Sequence, residues 1–132
     1  MFDNTKMEYP SYYLEDIDEF ELSSSGIDDL EGVEFCKHVT NLDLSNNHIC
    51  DLTPLSGLSF LEELNLSDNK IFDIDALSNL ENLKVLNLSN NQIDDIKPIM
   101  NLPLLEYIDL TGTKVAKKQV KELLVIGVAV EI

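Results

Sequence analysis

The chain contains no arginine and no tryptophan, and only two cysteines, two histidines and four prolines in 132 residues. Each scarcity removes a class of function. With nine lysines as the only basic residues against 25 acids, the net charge is −16. Phosphates would be repelled, so direct binding to nucleic acid or to an anionic membrane is disfavoured. No apolar run is long enough to span a bilayer. The start, MFDNTKMEYP, shows no basic stretch followed by an apolar one, so no secretory signal is expected. Two thiols cannot build a disulfide framework, which together with the missing signal points to a cytoplasmic protein. The only histidines are His38 and His48, and neither sits in a metal-binding or triad-like spacing. A glycine-rich phosphate loop and a nucleophile elbow are also absent from the sequence, so no catalytic residues, metal ligands or cofactor are assigned and the expectation is a non-enzyme.

What the chain does have is a period. Leu61, Leu64, Leu66, Asn69, Ile71, Ile74, Leu77 and Leu80 recur at one constant offset earlier in the chain, as Val39, Leu42, Leu44, Asn47, Ile49, Leu52, Leu55 and Leu58. They recur at the same offset later, as Leu83, Leu86, Leu88, Asn91, Ile93, Ile96, Ile99 and Leu102. The apolar phase extends back to Ile17, with Ser25 in place of asparagine, and forward through Leu105, Ile108 and Leu110, with Thr113 in its place. These segments match L-x-x-L-x-L-x-x-N-x-L, and the chain resembles the leucine-rich repeat family, in its short 22-residue class with the bacterial internalins and the phosphatase-regulatory repeat proteins. The resemblance implies a right-handed α/β solenoid. A parallel β-sheet would line its concave face and short 3₁₀ turns its convex face, with an α-helix and a strand capping the C-terminal end. One domain is expected over residues 1–132, made of an N-terminal cap or arm (1–16), repeats (17–115) and a C-terminal cap (116–132).

Residue chemistry supports this layout. In Leu64-x-Leu66 alternate side chains share one face, so the leucines point inward and Glu63 and Asn65 outward. The asparagine at the ninth position of each coil can both donate and accept, and so can satisfy backbone groups where the chain leaves the strand. Asp29, Asp51, Asp73 and Asp95 form a ladder at the thirteenth position. One carboxylate per coil is too few for a calcium loop, whereas each precedes a three-residue apolar period and is placed to cap a 3₁₀ turn. Pro54 and Pro98 fall near the starts of such turns, where a fixed φ is tolerated. Gly26 and Gly32 precede Ile27 and Val33 and allow tight turns. In the C-terminal cap, Ala116, Val120, Leu123 and Leu124 fall on one face of a helix ended by Gly127, with Lys117, Lys118 and Lys121 solvating its outside. Phe2, Tyr9, Tyr12 and Tyr13 suit an aromatic arm that covers the open end of the first coil.

In the resembled family the outward sheet residues bind proteins. Here the third position of successive coils reads Glu19, Asn41, Glu63, Val85, Tyr107. The fifth reads Glu21, Asp43, Asn65, Asn87, Asp109; Glu62 stands at a second position and Asp68 at an eighth. These twelve residues are the candidate protein-binding set. Six strands about 4.8 Å apart would make a face roughly 24 Å wide. Like charges on neighbouring strands destabilise a sheet, so acid here points to a basic protein partner. Tyr107 is the expected anchor. Residues 1–113 carry five lysines and 23 acids, a net −18. That charge allows a second reading, a small inhibitor that mimics nucleic acid on a processing enzyme, in the manner of anti-CRISPR proteins. A third reading, an adaptor or regulatory subunit, rests on family analogy alone.

Overall fold

In the computed structural model, residues 18–132 are described. Six three-residue strands form one parallel sheet in sequence order. They are β1 (Glu19–Glu21), β2 (Asn41–Asp43), β3 (Glu63–Asn65), β4 (Val85–Asn87), β5 (Tyr107–Asp109) and β6 (Ala129–Glu131). Every neighbouring pair is offset by one repeat, so Leu42, Leu64, Leu86, Ile108 and Val130 stand side by side. Short 3₁₀ helices at Val33–Phe35, Thr53–Leu55, Asp75–Leu77 and Lys97–Ile99 return the chain on the opposite side. The expected solenoid is present.

The apolar positions of the repeat become columns of a single core. Leu44, Leu55, Leu61, Leu66, Ile71, Leu77, Leu83, Leu88, Ile93 and Ile99 are all fully buried. No single coil can enclose such a set alone; each covers its neighbour. Burial loosens at the ends of the stack, where Phe20, Leu22, Val115 and Val130 are only partly covered. The aromatic arm assigned to cover the first coil, residues 1–16 with Phe2, Tyr9, Tyr12 and Tyr13, and the repeat position Ile17 lie outside the described residues. Cys36 is buried in the leucine column, and burial, with Glu34 nearby, pushes its thiol up to about 11. Cys50 is exposed and both cysteines are free.

The ninth-position asparagines join consecutive coils. Asn69 Oδ1 accepts from the Ile49 N–H at 3.0 Å. Its Nδ2 donates to the carbonyl oxygens of Leu44 in the previous coil and of Leu66 and Ser67 in its own, at 3.0–3.1 Å. Asn47 and Asn91 repeat the pattern, reaching back to Ile27 and Leu22, and to Ile71 and Leu66. Each asparagine is therefore a staple from its own coil to the one before. In the first described coil the Ser25 side chain keeps only a bond within its own coil, its hydroxyl donating to Ser23 O at 3.2 Å. Thr113 keeps only the bond within its own coil, donating its hydroxyl to Leu110 O at 2.7 Å.

Asp51, Asp73 and Asp95 each accept from the N–H two residues on, that of Thr53, Asp75 or Lys97, which is the first residue of the 3₁₀ helix. Capping is done by a local side-chain turn one residue ahead of the formal N-cap. Asp29 departs from the pattern. It bonds the Glu31 N–H, two residues short of its helix, and Glu34 reaches back to the Gly32 N–H instead.

The cap helix α1 spans Lys117–Val125. Its buried face holds Val120 and Leu123; Ala116 and Leu124, which the apolar spacing assigns to that face, are exposed. Ala116 precedes the first turn. Leu124 is directed away because the helix ends in a Schellman motif built on Leu123: Val128 N–H bonds Leu123 O at 3.0 Å and Gly127 N–H bonds Leu124 O at 3.1 Å. Gly127 takes φ +96°, and the buried Val128 meets the buried Leu123 at the core. Gln119 ties α1 to the preceding coil, accepting from Ile96 N–H at 3.1 Å and donating to Asp95 at 2.9 Å. Ile132, which continues the strand phase, is exposed.

Each staple adds to the stability that apolar burial gives the stack. Replacing Asn69 by Ala leaves the buried Ile49 N–H unpaired and removes one of the donors to the Leu44, Leu66 and Ser67 carbonyls, and should cost about 2–5 kcal/mol. Urea unfolding of Asn69→Ala against the parent measures this; Ser25→Ala, which removes only the hydroxyl bond to Ser23 O, should cost under about 1 kcal/mol.

Candidate protein-binding face

The outward residues of the sheet line a shallow concave depression of about 600 Å³. Nine of the twelve candidates surround it: Glu19, Glu21, Asn41, Asp43, Glu63, Asn65, Val85, Asn87 and Tyr107. The other three do not line it. Asp109 continues the fifth-position row, paired with Asn87 on one side and Glu131 on the other. Glu62 stands at the strand entrance and its Oε1 meets Lys84 Nζ at 3.2 Å; both are well exposed, so the pair contributes little to stability. Asp68 lies beyond the strand.

The eighth position is set by the backbone. Ser24, Asn46, Asp68 and Asn90 hold φ between +53° and +56°, and Gly112 takes +74°. Asparagine, aspartate and glycine tolerate this left-handed conformation best, which accounts for most of the row. Asp68 accepts from Asn90 Nδ2 at 3.0 Å, and Asn46 Nδ2 donates to Ser24 Oγ at 2.8 Å. A Cβ at Gly112 would lie 2.3 Å from Asn90 Oδ1, so a larger residue there would have to displace the Asn90 amide. Sequence reasoning missed this constraint, although the run Ser, Asn, Asp, Asn, Gly carries the signal.

The fifth position also has a structural role. The oxygen of each side chain folds back onto the N–H two residues on: Glu21 onto Ser23, Asp43 onto Ser45, Asn65 onto Ser67, Asn87 onto Ser89 and Asp109 onto Thr111. In the first four the serine hydroxyl donates to the same oxygen. These bonds close the strand end where the chain starts to turn. For Glu21, the hydroxyl and N–H of Ser23 hold the carboxyl below its ordinary 4.5. A depressed folded value means that this contribution is present above about pH 4.5 and is lost as the pH falls through the folded value.

The third row is less repulsive than its composition suggests. Asn41 separates Glu19 from Glu63 and donates to Glu63 Oε2 at 2.7 Å. Only Glu21 and Asp43, and Asp109 and Glu131, place acids side by side. Toward the C-terminal end the row becomes Val85, Tyr107 and Ala129. Partial burial, with Asp109 and Glu131 nearby, raises the Tyr107 phenol, so it stays a neutral hydroxyl.

A second depression, of about 700 Å³, lies on the C-terminal cap between Met100, Lys118, Lys121, Val125 and Ile126, remote from the sheet. His48 is exposed at the tenth position, and the His38 ring lies against Phe60 with centroids 5.8 Å apart. No group of three or more His, Cys, Asp or Glu among the described residues is arranged to hold a metal ion. No described helix is long and apolar enough to cross a membrane.

Two leucine-rich repeat family models match the sequence: "Leucine Rich repeats (2 copies)" at residues 59–99 and 81–123, and "Leucine Rich Repeat" at 38–59. A search of curated proteins finds no match. Among solved structures the fold is similar to an internalin of Listeria monocytogenes, at TM-score 0.69 and 26% identity over 87% of this chain and 41% of that one. Internalin C2 of the same organism gives TM-score 0.63 and 27% identity over 87% and 60%. A leucine-rich repeat protein of Leptospira interrogans, at 23% identity and TM-score 0.71 over 94% and 40%, shares the fold. The chain thus spans 41% and 60% of the two internalins' lengths.

The turn role of the fifth position separates charge from fold. Asp43→Asn keeps an oxygen for the Ser45 N–H and should leave stability within about 0.5 kcal/mol of the parent, whereas Asp43→Ala should lose about 1 kcal/mol. Urea midpoints of the two variants check this; equal losses would contradict the turn role.

Proposed function

The chain belongs to the leucine-rich repeat family, and from that premise we propose that it is a non-catalytic protein-binding module whose concave sheet takes a basic protein surface. The observation that carries the reading is the acidic half of the sheet. Glu19, Glu21, Asp43 and Glu63 crowd the first three strands, with no lysine on the lining of the depression. Only the fifth-position acids have a turn to close, and Asn65 and Asn87 close the same turn without charge. Glu19 and Glu63 stand in a row whose other members are Asn, Val, Tyr and Ala, so no backbone requirement accounts for their charge. Such a field favours encounter with a cationic partner and gives binding that weakens with salt.

The sheet also offers an anchor. Val85 and Tyr107 are neighbours, half-buried and uncharged. An aromatic ring held beside an aliphatic side chain is the usual centre of an interface, with charge at its margin. Together the two halves fit a partner segment that carries lysine or arginine at one end and an apolar residue at the other.

The test is affinity capture at low and moderate salt, with a variant that removes charge and retains the turn: Glu19→Gln, Asp43→Asn, Glu63→Gln. Affinity for the captured protein, measured with purified components, should fall at least about tenfold, and its salt dependence should flatten. Tyr107→Ala should weaken the same complex by about 2 kcal/mol or more. A partner bound equally well by both variants would move the working surface off the sheet.

A further inference from the structure

We propose that the concave face reads a polypeptide segment by hydrogen-bond sense as well as charge. The outward amides of Asn65 and Asn87 donate to carbonyl oxygens of the partner, while Glu21 and Asp43 on one side and Asp109 on the other accept from its lysines or arginines. The inference rests on the protein-binding reading of the sheet.

The orientation of the two amides is fixed by their neighbours. Ser67 N–H and Oγ donate to Asn65 Oδ1 at 3.0 and 2.8 Å, and Ser89 does the same to Asn87 at 3.0 and 2.8 Å. A backbone N–H can only donate, so the side-chain oxygen must face it. The planar amide then directs its NH₂ away from the turn. Among the described residues, neither NH₂ finds an acceptor in the chain. The other exposed asparagine donors of the concave side are engaged: Asn41 with Glu63, Asn46 with Ser24 and Asn90 with Asp68.

Strand register makes these atoms a row. Glu21, Asp43, Asn65, Asn87 and Asp109 are successive neighbours, so the row reads acceptor, acceptor, donor, donor, acceptor at about 4.8 Å intervals. Each member has one oxygen pinned, so the outward atom is held in place before any partner arrives, which lowers the entropy lost on binding. A purely cationic partner cannot complete the row, because lysine and arginine have no acceptor and would leave both amides desolvated and unpaired. Phosphate would satisfy the amides and meet carboxylates on both sides. A polypeptide supplies both senses at once, with carbonyls along its main chain and cations on its side chains. Val85, on the same strand as Asn87, and Tyr107 place an apolar side chain of that segment next to its paired carbonyls.

The experiment uses peptides selected from a displayed random 16-residue library against the whole chain, resynthesised and measured by calorimetry. Asn65→Asp with Asn87→Asp keeps both turns, as Asp43 and Asp109 do natively, and turns each outward donor into an acceptor. If charge alone governed binding, two added carboxylates would tighten the grip on basic peptides. Hydrogen-bond sense requires the opposite, a loss of at least about tenfold. Equal urea midpoints for parent and variant confirm that the turns survive. Asp43→Asn, run alongside, should also weaken binding. Unchanged or tighter binding by the double variant with a weakened Asp43→Asn overturns the donor assignment and leaves the basic-partner reading standing. An unaffected Asp43→Asn, or selected peptides without lysine or arginine, overturns the basic-partner reading itself.

Discussion

A side-chain oxygen closing on a backbone N–H is the interaction on which this structure depends. In its strongest form it is the buried asparagine staple. Asn47, Asn69 and Asn91 each take an N–H from the preceding coil and give both amide hydrogens to carbonyls of two coils. A coil this small buries too little apolar surface to stand alone, and its backbone turns sharply inside the protein, where unpaired polar groups are costly. The staple removes that cost and fixes the repeat register. With register fixed, the apolar columns align and the sheet becomes continuous.

The same bond recurs at two further places in the middle coils with less burial. At the thirteenth position Asp51, Asp73 and Asp95 start the 3₁₀ turns. At the fifth position Asp, Glu or Asn ends the strand. The second of these has a functional consequence. The residues that present the concave face are also residues that the turn requires, and the turn asks only for an oxygen. Aspartate, glutamate and asparagine are therefore interchangeable for the fold and opposite in what they show to a partner. Recognition can change sign along the row without disturbing the backbone.

Much of this is legible in the sequence because it is periodic. Leu64 and Leu66, with their equivalents in every coil, give the strands, their inward faces and the core columns. The asparagine at the ninth position announces its own role, since a polar residue in an apolar frame needs partners. The geometry of the eighth position is legible only in the whole column Ser24, Asn46, Asp68, Asn90, Gly112 and not in any one of its residues. Alone in sequence Asp68 is one more acid on the binding face, whereas its positive φ makes it a turn residue. The fifth position is hidden for a related reason: sequence gives the residue type and not the direction of its hydrogen bond. Leu124 is lost to competition between two signals. Apolar spacing places it with Val120 and Leu123, while the Schellman ending at Gly127 commits Leu123 to the core and turns Leu124 outward.

Asparagine oxygens are bonded inward at both the fifth and the ninth positions. Nuclear magnetic resonance tests this directly, through the scalar coupling that crosses a hydrogen bond from an amide nitrogen to the accepting carbonyl carbon. Couplings from Ser67 N–H to the Asn65 side-chain carbon and from Ile71 N–H to the Asn91 side-chain carbon are predicted. Detection of both establishes the fixed amides from which stacking and presentation follow. Rotationally averaged Asn65 and Asn91 side chains, with neither coupling present, would contradict inward bonding.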